Sequence, residues 1–171
     1  SKEPGRSATF FAAERARAAG KQTFLDIDFR ADQWGDPRAF GVNVRALLPL
    51  IDIAIGTEEE VNAAMLTDPA ALEIVHQQIS APVIRGDTEA NIRAILAVPS
   101  GPEMLVVKRG AQGVSLYKRD GSREDVPGFP VEVYNVLGAG DAFASGFIYG
   151  QLQGWSPYKS ARLGNACGAI V

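Results

Sequence analysis

Asn135-Val-Leu-Gly138-Ala139-Gly140-Asp141-Ala-Phe-Ala-Ser-Gly146 is the stretch from which the rest of the chain is read. Glycines at i and i+2 let a backbone approach a ligand closely. They open a segment with helical patterning to about Gln153, and a helix start offers unpaired N–H groups and a positive dipole end to phosphate oxygens. Asp141 then falls in the first turn, placed to take a proton from a hydroxyl that attacks phosphorus in line. The competing reading is an ordinary tight turn followed by an aspartate that merely caps or charges the helix, and local physics leaves both open. Phe143 stands where the third glycine of a dinucleotide fingerprint belongs, which disfavours that motif, and the Walker A pattern is absent.

Upstream of this stretch, strand and helix patterns alternate. Ser7 can cap a helix from about Ala8 to Ala19 that stops at Gly20, and Thr23 to Asp28 follows as a short apolar strand. Pro37 begins a helix through about Leu48, and Ile51 to Ile55 reads as a buried strand. Thr57 with Glu60 is a capping box that starts another helix at the strand's end. Further helices are predicted from Pro69 to about Ile79 and from Thr88 to Leu96, separated by the apolar piece Pro82-Val-Ile84. Met104 to Lys108 is a strand. Val114 to Tyr117 and Glu124 to Val126 flank the hairpin signal Asp120-Gly121, and Val131 to Tyr134 is extended. After a break from Gly154 to Pro157 a last helix runs to the end. This order predicts an α/β fold in three layers: a mostly parallel sheet, helices on both faces, and an antiparallel hairpin edge, with ligands bound beyond the carboxyl ends of the strands.

Composition narrows the function classes. The 171 residues, 46% hydrophobic and 22% charged, suffice for one domain with an adequate core. A net charge of −3 supplies no basic field for nucleic acid. The single cysteine, Cys167, rules out an internal disulfide framework, and no apolar run approaches the roughly 20 residues of a membrane span. These features, with no signal-peptide pattern at the polar start Ser1 to Gly5, lead to the expectation of a soluble cytoplasmic protein. His76 is the only histidine, so neither a Ser-His-Asp apparatus nor a zinc cluster has support. Trp155, beside Gly154 and Pro157, reads as a packed anchor between helices. Both ends look cut, so a fragment is expected.

Gly138-Ala-Gly-Asp141 followed by Ala-Phe-Ala-Ser-Gly-Phe resembles the C-terminal signature of the ribokinase-like, or phosphofructokinase B, carbohydrate kinases. The resemblance covers essentially the whole chain and implies the nucleotide-binding and catalytic part of such a kinase, with the lid-bearing N-terminal half absent. It makes Asp141 the catalytic base and the amides of Gly138, Ala139 and Gly140 the cradle of the transferring phosphoryl group. Lys108-Arg-Gly110-Ala-Gln-Gly113 resembles the family's glycine-containing nucleotide loop, with Lys108 in place of a common threonine or serine. Gly56-Thr-Glu58-Glu59 takes the place of the Asn-x-x-Glu motif, Gly56 replacing the asparagine and Glu59 matching the residue that organises Mg2+. Asn165-Ala166 resembles the segment beside adenine, while packing explains Cys167 and Gly168 equally well. ATP and Mg2+ are therefore the implied cofactors. A homodimer formed through the lid is a further implication for the full-length protein.

Asp26-Ile-Asp28-Phe-Arg30, with Trp34 four residues on, bears on the substrate. Alternation turns Asp26, Asp28 and Arg30 to one side at the carboxyl end of a strand, where either a structural salt bridge or a binding site would sit. The segment is similar to one found in family members that phosphorylate keto-deoxy sugar acids, where the arginine can meet the substrate carboxylate; Asp28 replaces an asparagine. Other sugar or nucleoside kinases of the same fold are the rival reading, and a nucleotide-binding module without transferase activity is a third.

Overall fold

The computed structural model describes residues 3–75, 81–132 and 136–171. They fall into two compact units, Ser1–Leu105 and Val106–Val171. Five strands make one mixed sheet in the order β1-β2-β5-β6-β7, and a two-stranded sheet pairs β3 with β4. The expected α/β arrangement with an antiparallel hairpin at the sheet edge is the one that forms.

The first unit opens with helix α1 (Gly5–Ala18). Ser7 does not cap it, contrary to expectation. It lies inside the helix, and the carboxylate of Glu3 reaches back to accept from its hydroxyl at 2.6 Å and its N–H at 3.3 Å. Those bonds hold the Glu3 carboxyl below its ordinary value, the Ser7 hydroxyl contributing most. The other end closes as predicted: Gly20 takes φ +63°, its N–H bonds to the Arg17 carbonyl, and the N–H of Lys21 bonds to that of Ala16.

Strand β1 (Phe24–Asp26) pairs in parallel with β2 (Ile53–Thr57), and one further bond from the Ile27 N–H to the Ile55 carbonyl ends the ladder. The strand therefore stops two residues earlier than predicted. Alternation persists beyond it, since Ile27 and Phe29 are buried while Asp28 and Arg30 are exposed. Phe29 and Trp34 both pack on Phe40, ring centroids 4.8 and 5.5 Å away, and this anchors the loop. Phe40 belongs to α2 (Pro37–Leu47), capped by Asp36. A Cβ at Gly41 on this helix would lie 2.9 Å from the Ala64 carbonyl, so glycine is required where α2 meets the end of α3 (Glu58–Ala64).

The helix predicted from Pro69 to Ile79 does not form in its described part. A single 3-10 turn, Pro69–Ala71, leads into β3 (Leu72–Val75), which pairs antiparallel with β4 (Ala81–Ile84). The β-branched pair Ile74-Val75 favours an extended backbone once a partner strand is supplied. His76 and the rest of that predicted helix lie outside the described residues. Helix α4 (Thr88–Leu96) forms with its predicted limits, capped by Asp87, and buries Ile92, Ile95 and Leu96.

The second unit takes up β5 (Met104–Lys108) within its length and continues through β6 (Val114–Lys118) and β7 (Arg123–Val126). The last two pair antiparallel around Asp120-Gly121, Gly121 at φ +85°. Val131 and Glu132 are in no regular element, and Val133 to Asn135 lie outside the described residues. Helices α5 (Ala139–Leu152) and α6 (Pro157–Ile170) then pack along a seam of small residues. Added Cβ atoms would meet Cys167 Sγ at 2.9 Å from Gly146, the Phe143 ring at 2.8 Å from Gly164 and Ser160 Oγ at 2.6 Å from Gly150. Trp155 joins the two helices as expected, edge-on to Tyr149 of α5 and beneath the Lys159 ammonium of α6.

Candidate functional site

Helix α5 starts without a side-chain cap. Gly138, its N-cap, sits in the left-handed region at φ +87°, a conformation that costs a side-chain-bearing residue about 1–2 kcal/mol. Of the first amides, Ala139 reaches the Val136 carbonyl at 3.3 Å and Ala142 the Gly138 carbonyl at 2.9 Å. The amides of Gly140 and Asp141, in the first turn, have no partner within the helix itself. Asp141 is the only acid of this first turn and is exposed. Its carbonyl accepts from the Ser145 hydroxyl at 2.8 Å.

Lys108, at the end of β5, reaches the same place. Its Nζ lies 3.5 Å from where a Cβ on Gly140 would be. Sequence spacing alone offered no signal for this juxtaposition. Behind it, the turn Gly110–Gln112 is closed by a bond from the Arg109 N–H to the Gly113 carbonyl at 2.8 Å and from the Gly113 N–H to the Gly110 carbonyl at 3.0 Å. The two loop glycines differ. Gly110 has φ +56° and open space around it, whereas Gly113 is buried, and a Cβ there would come 2.2 Å from the Val126 carbonyl. Gly113 thus shapes the loop from inside while Gly110 faces outward.

Asn165 is buried on α6 and donates from its amide nitrogen to the carbonyls of Val126 and Pro127 at 3.2 and 3.0 Å. Arg162 adds a bond to the Pro127 carbonyl at 2.5 Å and stacks over Phe129 at 4.0 Å. Both residues therefore fasten the chain segment leaving β7, and Arg162 was not singled out from the sequence.

In the first unit, α3 begins with the predicted capping box. Thr57 Oγ1 accepts from the Glu60 N–H at 3.2 Å, and Glu60 Oε2 accepts from the Thr57 N–H at 2.7 Å. That folded-back carboxylate lies 3.4 Å from a Cβ at Gly56, and Ile27 Cβ lies 3.3 Å from it, which accounts for glycine there. Glu60 is engaged in the cap, and Glu59 projects outward, exposed. Arg30 pairs with Asp28 at 2.9 Å, both more than half exposed, so the ion pair foreseen between them exists and is open to competitors.

A model of the pfkB family carbohydrate kinases matches residues 2–171. The 5-dehydro-2-deoxygluconokinase of Clostridium tetani (strain Massachusetts / E88) is 29% identical over 171 residues, all of this chain and 46% of that protein. A candidate ribokinase II from E. coli, solved in complex with ATP and Mg2+, is 26% identical with a TM-score of 0.71, covering 93% of this chain and 44% of that one. The aminoimidazole riboside kinase of Salmonella enterica, solved with aminoimidazole riboside and an ATP analogue, shares the fold at a TM-score of 0.78 and 21% identity, over 99% of this chain and 52% of that one. The chain spans about half the length of the proteins it matches. Among the described residues no helix is long and apolar enough to cross a membrane.

Proposed function

The chain belongs to the pfkB family of carbohydrate kinases, and on that premise we propose that the intact protein transfers the terminal phosphoryl group of ATP to a primary hydroxyl of an acidic keto-sugar. The observation that carries this reading is the start of α5, an uncapped helix end with an exposed carboxylate in its first turn. Asp141 takes the hydroxyl proton as the oxygen bonds to phosphorus, and the Gly138 to Gly140 amides hold the phosphoryl oxygens. Lys108 and the outward Gly110 turn contribute to the nucleotide phosphates. Asn165 and Gly113 act at the nucleotide side by fixing the loop and the exit of β7.

Among the described residues no group of three His, Cys, Asp or Glu could hold a metal ion. Magnesium needs no such cage where phosphates and water supply most of its oxygens, so Glu59 alone, orienting that water shell, fits the residues present. The ion, when bound, neutralises phosphate charge.

The relatives named 5-dehydro-2-deoxygluconokinase support 5-dehydro-2-deoxygluconate as the acceptor, with 2-keto-3-deoxygluconate the runner-up. Arg30 would exchange its exposed Asp28 partner for the substrate carboxylate. Arg30→Ala should then lose the preference for acidic over neutral sugars, and an unchanged preference removes Arg30 from the site. The decisive experiment is Asp141→Asn in the intact protein. Turnover should fall by about 10²- to 10⁴-fold with nucleotide binding retained; undiminished turnover refutes the assignment.

A further inference from the structure

We infer that Arg162 is a positioning residue for the nucleotide: it holds the chain leaving β7 against the Gly110–Gln112 turn, so that its loss weakens ATP binding and spares the chemical step. The inference rests on the kinase reading above, in which that turn meets the phosphates of ATP, and deepens it.

Arg162 grips the segment on both sides of Gly128. Its Nη1 donates to the Pro127 carbonyl at 2.5 Å, and its guanidinium carbon lies 4.0 Å from the centroid of the Phe129 ring. Asn165, three residues on and therefore on the same face of α6, donates to that Pro127 carbonyl at 3.0 Å and to the Val126 carbonyl at 3.2 Å. The two side chains divide the work. Buried Asn165 ties down the end of β7, and the contact of Arg162 with Phe129 carries the hold past Gly128.

Gly128 in turn is fitted against the glycine turn, backbone to backbone. Its N–H donates to the Gln112 carbonyl at 3.3 Å. A Cβ on Gly128 would stand 2.6 Å from the Ala111 carbonyl oxygen and 3.0 Å from the Gly113 nitrogen, and one on Gly113 would stand 2.4 Å from the Gly128 nitrogen. Gly128 has no positive φ, so this closeness, not conformation, calls for glycine. Close-packed backbones pass on a displacement without slack. Residues 111–113 therefore follow residues 127–129, and the whole path from Arg162 to the turn lies inside the second unit. With that path cut, the turn spends part of its time misplaced, and the apparent affinity for nucleotide falls by the fraction that remains competent. Asp141 lies outside the path, so the rate at saturating ATP is kept.

The test compares the two substrates of the intact protein, ATP and whichever acidic sugar the parent phosphorylates, 5-dehydro-2-deoxygluconate or 2-keto-3-deoxygluconate. Arg162→Met removes the donor and the planar cation and keeps most of the side chain's length. KM for ATP should rise about three- to tenfold, as loss of one charged hydrogen bond gives, while kcat and KM for the sugar stay within about twofold of the parent. Phe129→Leu removes the ring beneath the guanidinium and leaves Arg162 in place; it should raise KM for ATP about two- to fivefold. Arg162→Lys keeps a donor for Pro127 but loses the flat face, and should fall between the parent and Arg162→Met. A residue that served stability alone would lower the melting temperature without moving KM for ATP in assays well below it. An unchanged KM for ATP in Arg162→Met therefore overturns the inference, as does an equal rise in both KM values. An ATP effect in Arg162→Met with none in Phe129→Leu marks a direct contact between guanidinium and nucleotide, and overturns it too. If Arg162→Met does not fold, Phe129→Leu decides by the same criterion. An active parent beside a variant with parental KM for ATP sinks this inference alone, whereas a parent that neither binds ATP nor transfers its phosphoryl group sinks the kinase reading with it.

Discussion

The helix starts at Glu58 and at Ala139 solve the same problem in opposite ways. Each leaves its first backbone N–H groups without a partner inside the helix. At α3 the chain supplies the missing acceptors itself, Thr57 and Glu60 satisfying each other's amides, and three acids crowd the first turn. At α5 no side chain caps the end, the N-cap is a left-handed glycine, one acid is present, and a lysine ammonium stands close by. The capping box takes up two of the four N–H groups at the start of α3. On the proposed function, the uncapped start of α5 is completed instead by a phosphate. The acid residues consequently differ: Glu60 holds its own helix together, whereas Asp141 stands exposed in the first turn of α5 and, on the proposed function, is the base.

The sharpest way to break this contrast is to alter the two glycines of α5 separately. Gly140→Ala places a methyl group in the space beside Lys108 without straining the backbone, and alanine is the better helix former. Turnover should fall by about 10²-fold with no loss of thermal stability. Gly138→Ala instead forces a side chain into φ +87° and should cost about 1–2 kcal/mol of stability, visible in a denaturant melt. If Gly140→Ala retains near-normal kcat, the start of α5 is as ordinary as that of α3, and the contrast fails.

What could be read in advance follows the range of the interactions involved. The capping box, the limits of α4, the Gly20 stop and the Asp120-Gly121 hairpin all rest on neighbours a few residues away, and each was legible. The replacement of helix by strand after Pro69 was not, because Leu72 to Val75 acquires its shape from pairing with Ala81 to Ile84. Ser7 misled for a related reason: its hydroxyl looked like a cap, but Glu3, a stronger acceptor just outside the helix, took that place. The glycine signature and Asp141 were visible as a motif. The approach of Lys108 to Gly140 was invisible, since it depends on how β5 and α5 are brought together within the second unit. Asn165, which the resemblance places beside adenine, spends its buried amide on the carbonyls of Val126 and Pro127, a contact that its sequence neighbours do not announce.

Smaller effects test the closed start. Thr57→Ala and Glu59→Gln are neighbours on one helix end, and the contrast between structural and spare acids predicts that they fail differently. Thr57→Ala removes the acceptor for the Glu60 N–H and should cost about 1 kcal/mol of stability, with the magnesium dependence of turnover unchanged. Glu59 is exposed and outside the capping box, so its neutralisation should cost only a few tenths of a kcal/mol through the helix dipole. Its signature is kinetic instead: Glu59→Gln should need about tenfold more magnesium for half-maximal rate, as loss of a partner to the metal's bound water does. Titration of rate against Mg2+ for both variants, alongside their melts, distinguishes the roles. Should Glu59→Gln leave the magnesium curve in place, then all three acids of that turn are helix-start charges, and the metal contact must be sought on another element.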